Sequence, residues 1–335
     1  MSINKESFLK TRLIPALIML IALVALLVLT RYSFYWSYPL YQSSLGGFWA
    51  VRAIALIFVF IFAYWIFFEV SLAFLQHKIY AAIQALLLSS LIFLGTNFLN
   101  LVITSSNISS LDAFELRLWT DWQAHLMLLV SVLIFIIFRI IIIKNVYFTE
   151  LFLKALLFLL TSLILSFFIK TFLFLNTVSS GLEYIILFIL IAVSSDIGGY
   201  FGGKYLGHKM FKNKMAPLIS PKKTWEGAFV GYVAALIISF VFIYAYFGVA
   251  KGYDINTDVA SVLNSSKNTT AAIVILLTLA PIAAITGDLY FSFIKRKLAI
   301  KDFSRILAGH GGIVDRIDSI SLIFFIWTFL ALFRG

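Results

Sequence analysis

The amino-acid sequence predicts an all-α integral membrane protein, a polytopic bundle of about nine transmembrane helices with a polar site on its cytoplasmic side. Hydrophobic residues make up 62% of the 335 residues, and charged residues only 12%. Soluble domains carry about 25% charged residues, so this chain lacks the polar surface that a soluble globule needs. Long apolar runs recur along the chain, and the polar residues gather in two loops of its C-terminal half.

The apolar runs give the predicted helices in order. A spanning helix needs about 20 mostly apolar residues. Because lipid cannot bond to backbone groups, runs this uniform form helices rather than barrel strands. The predicted spans are residues 13–30, 50–68, 79–103, 124–143, 150–169, 183–200, 227–248, 271–287 and 317–333.

We divide the chain into residues 1–180, a membrane scaffold of about five spans, and residues 181–335, a catalytic membrane region that carries the polar motifs. The run 13–30 is longer than the core of a signal peptide and lacks a small-residue cleavage site, so we interpret it as a retained helix. A cleaved signal peptide is the alternative.

Basic loops set the predicted orientation. The loop after the sixth span contains Lys204, Lys209, Lys212, Lys214, Lys222 and Lys223, and the loop after the eighth is similarly basic. Cytoplasmic loops carry an excess of Lys and Arg, so both loops are placed in the cytoplasm. The net charge of +11 is then explained by anionic lipid and substrate rather than nucleic acid. The absence of cysteine excludes disulfides and thiolate chemistry.

The first polar cluster covers residues 194–227. Asp196 is predicted near the end of an apolar helix, where an ionisable group suggests function; a structural acid paired with a nearby lysine is the alternative. The segment 198–205 resembles a phosphate-binding P-loop, but Tyr205 replaces the hydroxyl that would hold magnesium. Glycines at every fourth position indicate close helix packing instead: Gly199, Gly203 and Gly207.

The segment SPKKTWEG, residues 220–227, predicts the start of the seventh helix. Ser220 is a suitable N-cap, and proline suits the first helical position. Lysines and a threonine then lie at a helix N-terminus, where free N–H groups favour an anion. We predict a phosphate site here, formed by Lys222, Lys223, Thr224 and Glu226. A solvated lysine pair that only sets orientation is the alternative.

The second polar cluster covers residues 287–318. Asp288 is predicted to end the eighth helix and Asp315 to open the ninth, so two carboxylates converge if both ends face one cytoplasmic cavity. Hard oxygen ligands suit magnesium. Asp318 lies three residues after Asp315 and shares its helix face. The alternative is a surface ion-pair cluster that caps the ninth helix.

Glycines and basic residues complete this cluster. Gly311 and Gly312 allow a tight turn and close approach of the backbone to a ligand. Arg316 offers a bidentate fork for phosphate. His310 is a base, a phosphate donor or a structural hydrogen bonder, and the sequence does not choose among these roles. These residues predict a magnesium-dependent polyphosphate site at the bilayer surface, open sideways to a lipid headgroup.

The second cluster closely resembles the signature of the phosphatidate cytidylyltransferases, or CDP-diacylglycerol synthases, S-x-x-K-R-x4-K-D-x-[GSA]-x2-L-P-x-H-G-G-x-x-D-R-x-D. The matching residues are Ser292, Lys295, Arg296, Lys301, Asp302, Ser304, Leu307, His310, Gly311, Gly312, Asp315, Arg316 and Asp318. SPKKTWEG and the pattern Asp196, Tyr200, Gly203 also resemble that family, so the likeness covers roughly residues 190–320. Ala308 replaces a usual proline, and Phe291 a usual glutamate.

The resemblance implies transfer of a cytidylyl group from CTP to phosphatidate, with release of pyrophosphate. It implies Mg²⁺ held by Asp288 and Asp315, with a second cation left open. The implied catalytic residues are Asp288, Lys301, His310, Asp315, Arg316 and Asp318. The implied substrate-binding residues are Asp196, Tyr200, Ser220, Lys222, Lys223, Thr224, Glu226, Ser292, Lys295, Arg296, Asp302, Gly311 and Gly312.

The expected partners are CTP, phosphatidate and bilayer lipid, without nucleic acid, and a homodimer is left open. The expected location is a bacterial plasma membrane, with the site facing the cytoplasm. The alternative functions are a CTP-dependent polyprenol or phytol kinase, or a CDP-activating enzyme for another lipid phosphate. A transporter is disfavoured because the charges lie at helix ends rather than in broken mid-membrane helices.

Overall fold

A computed structural model of the chain describes residues 14–37, 44–94, 118–144, 147–178, 181–252, 267–304 and 311–331. These residues form nine α-helices, which confirms the predicted all-α class. The helices are α1 Ile14–Arg31, α2 Leu45–Leu75, α3 Lys78–Ser90, α4 Trp122–Ile142, α5 Phe148–Leu175, α6 Gly181–Tyr205, α7 Trp225–Gly252, α8 Lys267–Lys297 and α9 Val314–Ala331.

Length and composition identify a membrane protein. Six of the described helices (α2, α4, α5, α6, α7 and α8) are long and apolar enough to cross a bilayer. Large apolar side chains face outward along these helices, as Leu133 on α4 and Phe229 on α7 do. Water would penalise such a surface, whereas lipid accepts it. The chain is an integral membrane protein.

One compact unit contains α1 to α5 together with the described residues of the segment Lys297–Ile317. Aromatic rings from three of its helices form a core: Phe135 of α4 stacks on Phe158 of α5 at 4.3 Å, and Phe74 of α2 meets Phe158 edge-on at 5.4 Å. Buried arginines bond to carbonyl oxygens at helix ends, as Arg139 does to Phe74. Such bonds satisfy groups that lipid leaves unpaired.

The second compact unit contains α6, α7, α8 as far as Arg296, and α9 from Asp318. Glycines bring α6 and α7 together: a Cβ added at Gly231 of α7 would lie 2.6 Å from the carbonyl oxygen of Ser195. The predicted role of Gly199, Gly203 and Gly207 in helix packing is confirmed, because an added Cβ at each would lie near Thr224 or Gly227 at the start of α7. On α9, Trp327 and Phe324 pack against Phe188 of α6.

Several helix ends, among them the following three, differ from their predicted positions. α6 continues past residue 200 to Tyr205, and α8 continues past residue 287 to Lys297. Asp196 and Asp288, predicted at helix ends, therefore lie inside helices. Hydropathy predicts the part of a helix that lies in lipid. The helix itself continues for as long as its backbone hydrogen bonds form, so it can extend beyond the apolar run.

The third difference is at α3, which ends at Ser90 rather than near residue 103. The Ser89 and Ser90 hydroxyls donate to the carbonyl oxygens of Leu86 and Leu87, and the following N–H groups bond three residues back. These local bonds compete with the α-helical ladder and tighten the last turn.

Candidate active site

A cavity of about 470 Å³ lies within the second unit. Its lining comes from α6, the turn before α7, the first turn of α7 and α8. Among the lining residues are the predicted site residues Asp196, Tyr200, Lys222, Lys223, Thr224 and Asp288. The fold therefore gathers in one place residues that are separated along the chain.

The centre of this cavity is an ion pair between Asp288 of α8 and Lys223 of the turn before α7. Lys223 Nζ lies 2.6 Å from Asp288 Oδ2. The hydroxyl of Ser292, one turn further along α8, donates to Asp288 Oδ1 at 3.2 Å. Both carboxylate oxygens of Asp288 thus have a protein partner, and the side chain is held in one orientation.

Carboxylates from three helices lie close enough to interact electrostatically: Asp196 of α6, Asp288 of α8 and Asp318 of α9. The ammonium groups of Lys223 and Lys295 oppose this negative charge. Mutually repelling carboxylates in a partly buried place are unfavourable unless a cation balances them. The cluster is therefore a local excess of negative charge next to the cavity.

Close contact of α8 with α9 positions Asp318. A Cβ added at Gly287 would lie 2.7 Å from the carbonyl oxygen of Asp318 and 3.3 Å from the Cα of Ser319. Only a glycine lets two backbones approach this closely without displacement. The predicted adjacency of the last two helices is confirmed at this point.

The structure corrects the predicted start of α7. The helix begins at Trp225, and Thr224 is its cap, because the Thr224 hydroxyl accepts the N–H of Gly227 at 3.0 Å. Ser220, the predicted cap, instead accepts the N–H of Lys223 with its carbonyl oxygen at 3.1 Å in a turn. This turn brings Lys222 and Lys223 to the cavity.

Other predicted residues of this unit contact protein groups. Glu226 is buried, and its Oε1 accepts the N–H groups of Met210 and Phe211 at 3.0 and 2.8 Å. It thereby holds the lysine-rich loop. Arg296 is exposed and donates through Nε to the carbonyl oxygen of Ile219 at 3.2 Å. The substrate-binding roles of Glu226, Lys295 and Arg296 stay predictions.

Part of the signature lies in the first unit, and its described residues there are Lys301, Asp302, Ser304, Gly311, Gly312, Asp315 and Arg316. Asp315 Oδ2 accepts the N–H of Gly312 at 2.8 Å and that of Phe303 at 2.9 Å, so one carboxylate oxygen joins both residues to the first turn of α9. Gly311 has φ +80°, so the predicted tight glycine turn is confirmed. The side chains of Lys301, Asp302 and Arg316 are exposed. His310 lies outside the described residues, and the pairing of Asp315 with Asp288 on one metal ion stays a prediction.

Sequence reasoning missed Glu69 of α2. This carboxylate is buried, and it accepts the hydroxyl of Ser304 at 2.7 Å and the N–H groups of Ile313 and Val314 at 3.1 and 3.0 Å. A single acid near the end of a long apolar run was the available signal, because such residues in membrane spans usually have a function.

The donor atoms near the cavity fit a hard cation. Among the described residues, no three His, Asp or Glu side chains are already arranged around a common metal position. The carboxylate oxygens of Asp196, Asp288 and Asp318 are nevertheless the ligand type that magnesium prefers. The ammonium of Lys223 supplies positive charge to Asp288 in this arrangement.

Comparison with known proteins agrees with this chemistry. A model of the "Cytidylyltransferase family" matches residues 10–333. Proteins named phosphatidate cytidylyltransferase are similar: that of Haemophilus influenzae is 37% identical over 140 residues (41% of this chain and 42% of the relative). Those of Helicobacter pylori and Rickettsia typhi are 36% and 38% identical over 165 and 156 residues (46% of this chain, and 53% and 60% of the relatives).

The chain thus spans about half the length of the curated relatives that it matches. The family model, by contrast, extends over the scaffold helices, the cavity-lining helices α6 to α8, and α9. The chain belongs to the cytidylyltransferase family.

Proposed function

We propose that this protein transfers the cytidylyl group of CTP to phosphatidate, giving CDP-diacylglycerol and pyrophosphate, at the cytoplasmic face of a bacterial plasma membrane. The observation that supports this proposal is the cavity in which Lys222 and Lys223 lie beside the carboxylates of Asp196 and Asp288. A nucleotidyl transfer needs cationic groups that bind phosphate and oxygen ligands that hold a metal ion. The matched relatives are named for this reaction.

The reaction needs positioning more than acid–base chemistry. A phosphatidate oxygen attacks the α-phosphorus of CTP, the bond from that phosphorus to the α–β bridging oxygen breaks, and pyrophosphate leaves with the electron pair. The attacking phosphate is already largely ionised near neutral pH, so no protein base is required. The role of Lys222 and Lys223 is to hold phosphate oxygens in line and to balance their charge.

Magnesium is the proposed cofactor. Asp288, with Asp196 and Asp318 beside it, would hold the ion in this unit, and Asp315 stays the second ligand predicted from the sequence. Bound magnesium would neutralise charge on the triphosphate and its leaving group. Lys223, which pairs with Asp288, then becomes available to a phosphate.

The surface next to the cavity suits a lipid substrate. Ile197 and Phe201 are exposed on α6 beside the cavity-lining residues Asp196 and Tyr200. Exposed apolar side chains on a membrane helix face acyl chains. A lipid phosphate can therefore reach the lysines while its acyl chains stay in the bilayer.

The deciding experiment is a product assay on the purified protein with CTP, phosphatidate and Mg²⁺. We expect equal amounts of CDP-diacylglycerol and pyrophosphate, and no product when EDTA replaces Mg²⁺. Diacylglycerol and a polyprenol in place of phosphatidate are the control acceptors. Release of CDP without pyrophosphate would show a lipid kinase and would refute the proposal.

A further inference from the structure

Glu69 is the buried acid of the first unit whose bonds lead directly to the signature segment. It lies on α2 and is 1% exposed. A carboxylate buried in a membrane span is expensive unless hydrogen bonds compensate it. The surroundings of Glu69 supply those hydrogen bonds, so the fold stabilises the buried carboxylate.

Four donors converge on this carboxylate. Oε1 accepts the Ser304 hydroxyl at 2.7 Å, the Ile313 N–H at 3.1 Å and the indole N–H of Trp65 at 3.3 Å. Oε2 accepts the Val314 N–H at 3.0 Å. Apart from Trp65, the donors belong to the segment that precedes and begins α9, far along the chain from α2.

Gly312 completes the contact. A Cβ added at Gly312 would overlap Glu69 Oε2, so a residue with a side chain cannot occupy this place without moving the carboxylate. Val314 is the first residue of α9, and Glu69 thus lies at a helix N-terminus, where free N–H groups favour an anion. The close fit against Gly312 and the attraction to the helix N-terminus therefore both hold Glu69 against this turn.

We infer that Glu69 is a positioning residue. It holds the turn before α9 (residues 311–313), and this turn fixes the positions of Asp315 and Arg316 in the first turn of the helix. The inference rests on the proposed function in so far as Asp315 and Arg316 act on the substrates. It gives α2, and with it the N-terminal scaffold, a part in the reaction. Glu69 itself bonds to two backbone N–H groups, the Ser304 hydroxyl and the Trp65 indole.

The test compares Glu69→Gln and Glu69→Ala with the parent protein. An amide keeps one acceptor oxygen, so it cannot satisfy the donors on both Oε1 and Oε2. We expect kcat for CDP-diacylglycerol formation to fall about 100-fold in Glu69→Gln, because displacement of a catalytic group by about 1 Å costs that much. KM for CTP should stay within about twofold, since the phosphate-binding lysines are untouched.

A second readout is independent of activity. The chain has no cysteine, so Val314→Cys introduces a single thiol at a position that is fully buried. Maleimide should label this thiol slowly in the parent background. In the Glu69→Gln background we expect labelling to be about 10-fold faster, because the N–H of residue 314 has lost its acceptor and the turn opens.

Two matched variants separate positioning from general damage. Trp65→Phe removes the donor on α2 and leaves the bonds to the turn, so kcat and labelling should match the parent. Ser304→Ala removes the hydroxyl donor and leaves the two backbone N–H donors, so it should give an intermediate loss of kcat. Thermal unfolding of each variant shows whether the bundle stays folded.

The outcomes are distinct. Parent-like kcat and slow labelling in Glu69→Gln would overturn the inference. Equal losses in Trp65→Phe and Glu69→Gln would also overturn it, because they would indicate a disturbed α2. If the parent protein forms no CDP-diacylglycerol, the proposed function fails, while faster labelling in Glu69→Gln still supports Glu69 as the residue that holds the turn.

Discussion

Lys223 and Asp288 form an ion pair of 2.6 Å that joins the turn before α7 to the middle of α8. Both side chains are about a quarter exposed, so the pair is neither a solvated surface contact nor a sealed core contact. A metal ion at Asp288 would compete with the Lys223 ammonium for the same oxygen. Under the proposed function, Asp288 would hold the cation and Lys223 would bind a phosphate in its place.

Substitution of Lys223 by methionine should lower kcat/KM for CTP at least about 100-fold, because a charge-assisted phosphate contact is lost in a partly desolvated place. Less Mg²⁺ should then be needed for half-maximal activity, since the cation no longer competes with an ammonium. Steady-state assays across a magnesium titration measure both effects. The matched control is Lys212→Met in the exposed part of the same basic loop, which should stay within about twofold of the parent. Equal losses in both variants would argue against a specific role for Lys223.

Two substitutions of Asp315 distinguish the role of its negative charge from the role of its hydrogen bonds. Oδ2 accepts the N–H groups of both Gly312 and Phe303, so an asparagine can keep these two bonds through its single oxygen. We expect Asp315→Asn to lose turnover and to retain the parent melting temperature. Asp315→Ala should also lose turnover. Its unfolding free energy should fall by roughly 1–3 kcal/mol, which lowers the melting temperature, because two N–H groups lose their acceptor. Robust turnover in Asp315→Asn would refute a catalytic role for its charge.

Packing of α6 on α7 can be tested at one glycine. Gly231→Ala would place a methyl group 2.6 Å from the Ser195 carbonyl oxygen, so we expect destabilisation of about 1–3 kcal/mol and loss of activity from the displaced cavity wall. Gly46, in the first turn of α2, has no neighbour within 4 Å of an added Cβ. Gly46→Ala should be neutral or slightly stabilising, by up to about 1 kcal/mol. Thermal unfolding in detergent checks both, and an equal effect of the two substitutions would contradict the packing argument.

A buried pair in the first unit predicts a pH effect on stability. Asp121 Oδ2 lies 4.0 Å from Lys170 Nζ, and both side chains are about 5% exposed. Burial raises the pKa of Asp121, while the Lys170 ammonium acts to lower it. Lys170→Met removes that ammonium and should raise the pKa further, so a charged Asp121 becomes more costly to bury.

A raised pKa in the folded state means that the folded protein binds the proton more tightly than the unfolded chain does. The loss of stability in Lys170→Met should therefore be larger at about pH 8 than at about pH 5. Asp121→Asn in the same background should recover part of the loss at the higher pH. Melting temperatures of the single and double variants at both pH values measure this, and a loss that does not change with pH would contradict it.

The sequence was informative where composition and local pattern decide the structure. Apolar run length predicted the helices, and the fourfold spacing from Gly199 to Gly207 predicted the packing of α6. The ends of helices were harder: Asp288 lies inside α8, because a helix continues beyond its apolar part. Ser220 and Thr224 are both good N-caps, and local preference alone could not choose between them.

Glu69 shows a second limit. Its partners lie more than two hundred residues along the chain, and neither periodicity nor composition records which distant segments meet. The resemblance to a known family was confined to the second half of the chain, so it could not assign a role to any residue of α2. Only the three-dimensional arrangement identifies this acid as the hydrogen-bond acceptor for the N–H groups at the start of α9.

Asp196, Asp288 and Asp318 belong to three different helices, and α9, which carries Asp318, is synthesised after α6 and α8. During synthesis the chain therefore contains Asp196 and Asp288 before Asp318 is added. An incomplete chain has two of the three acids and cannot yet assemble the cluster. The three carboxylates can therefore come together only after α9 has been made.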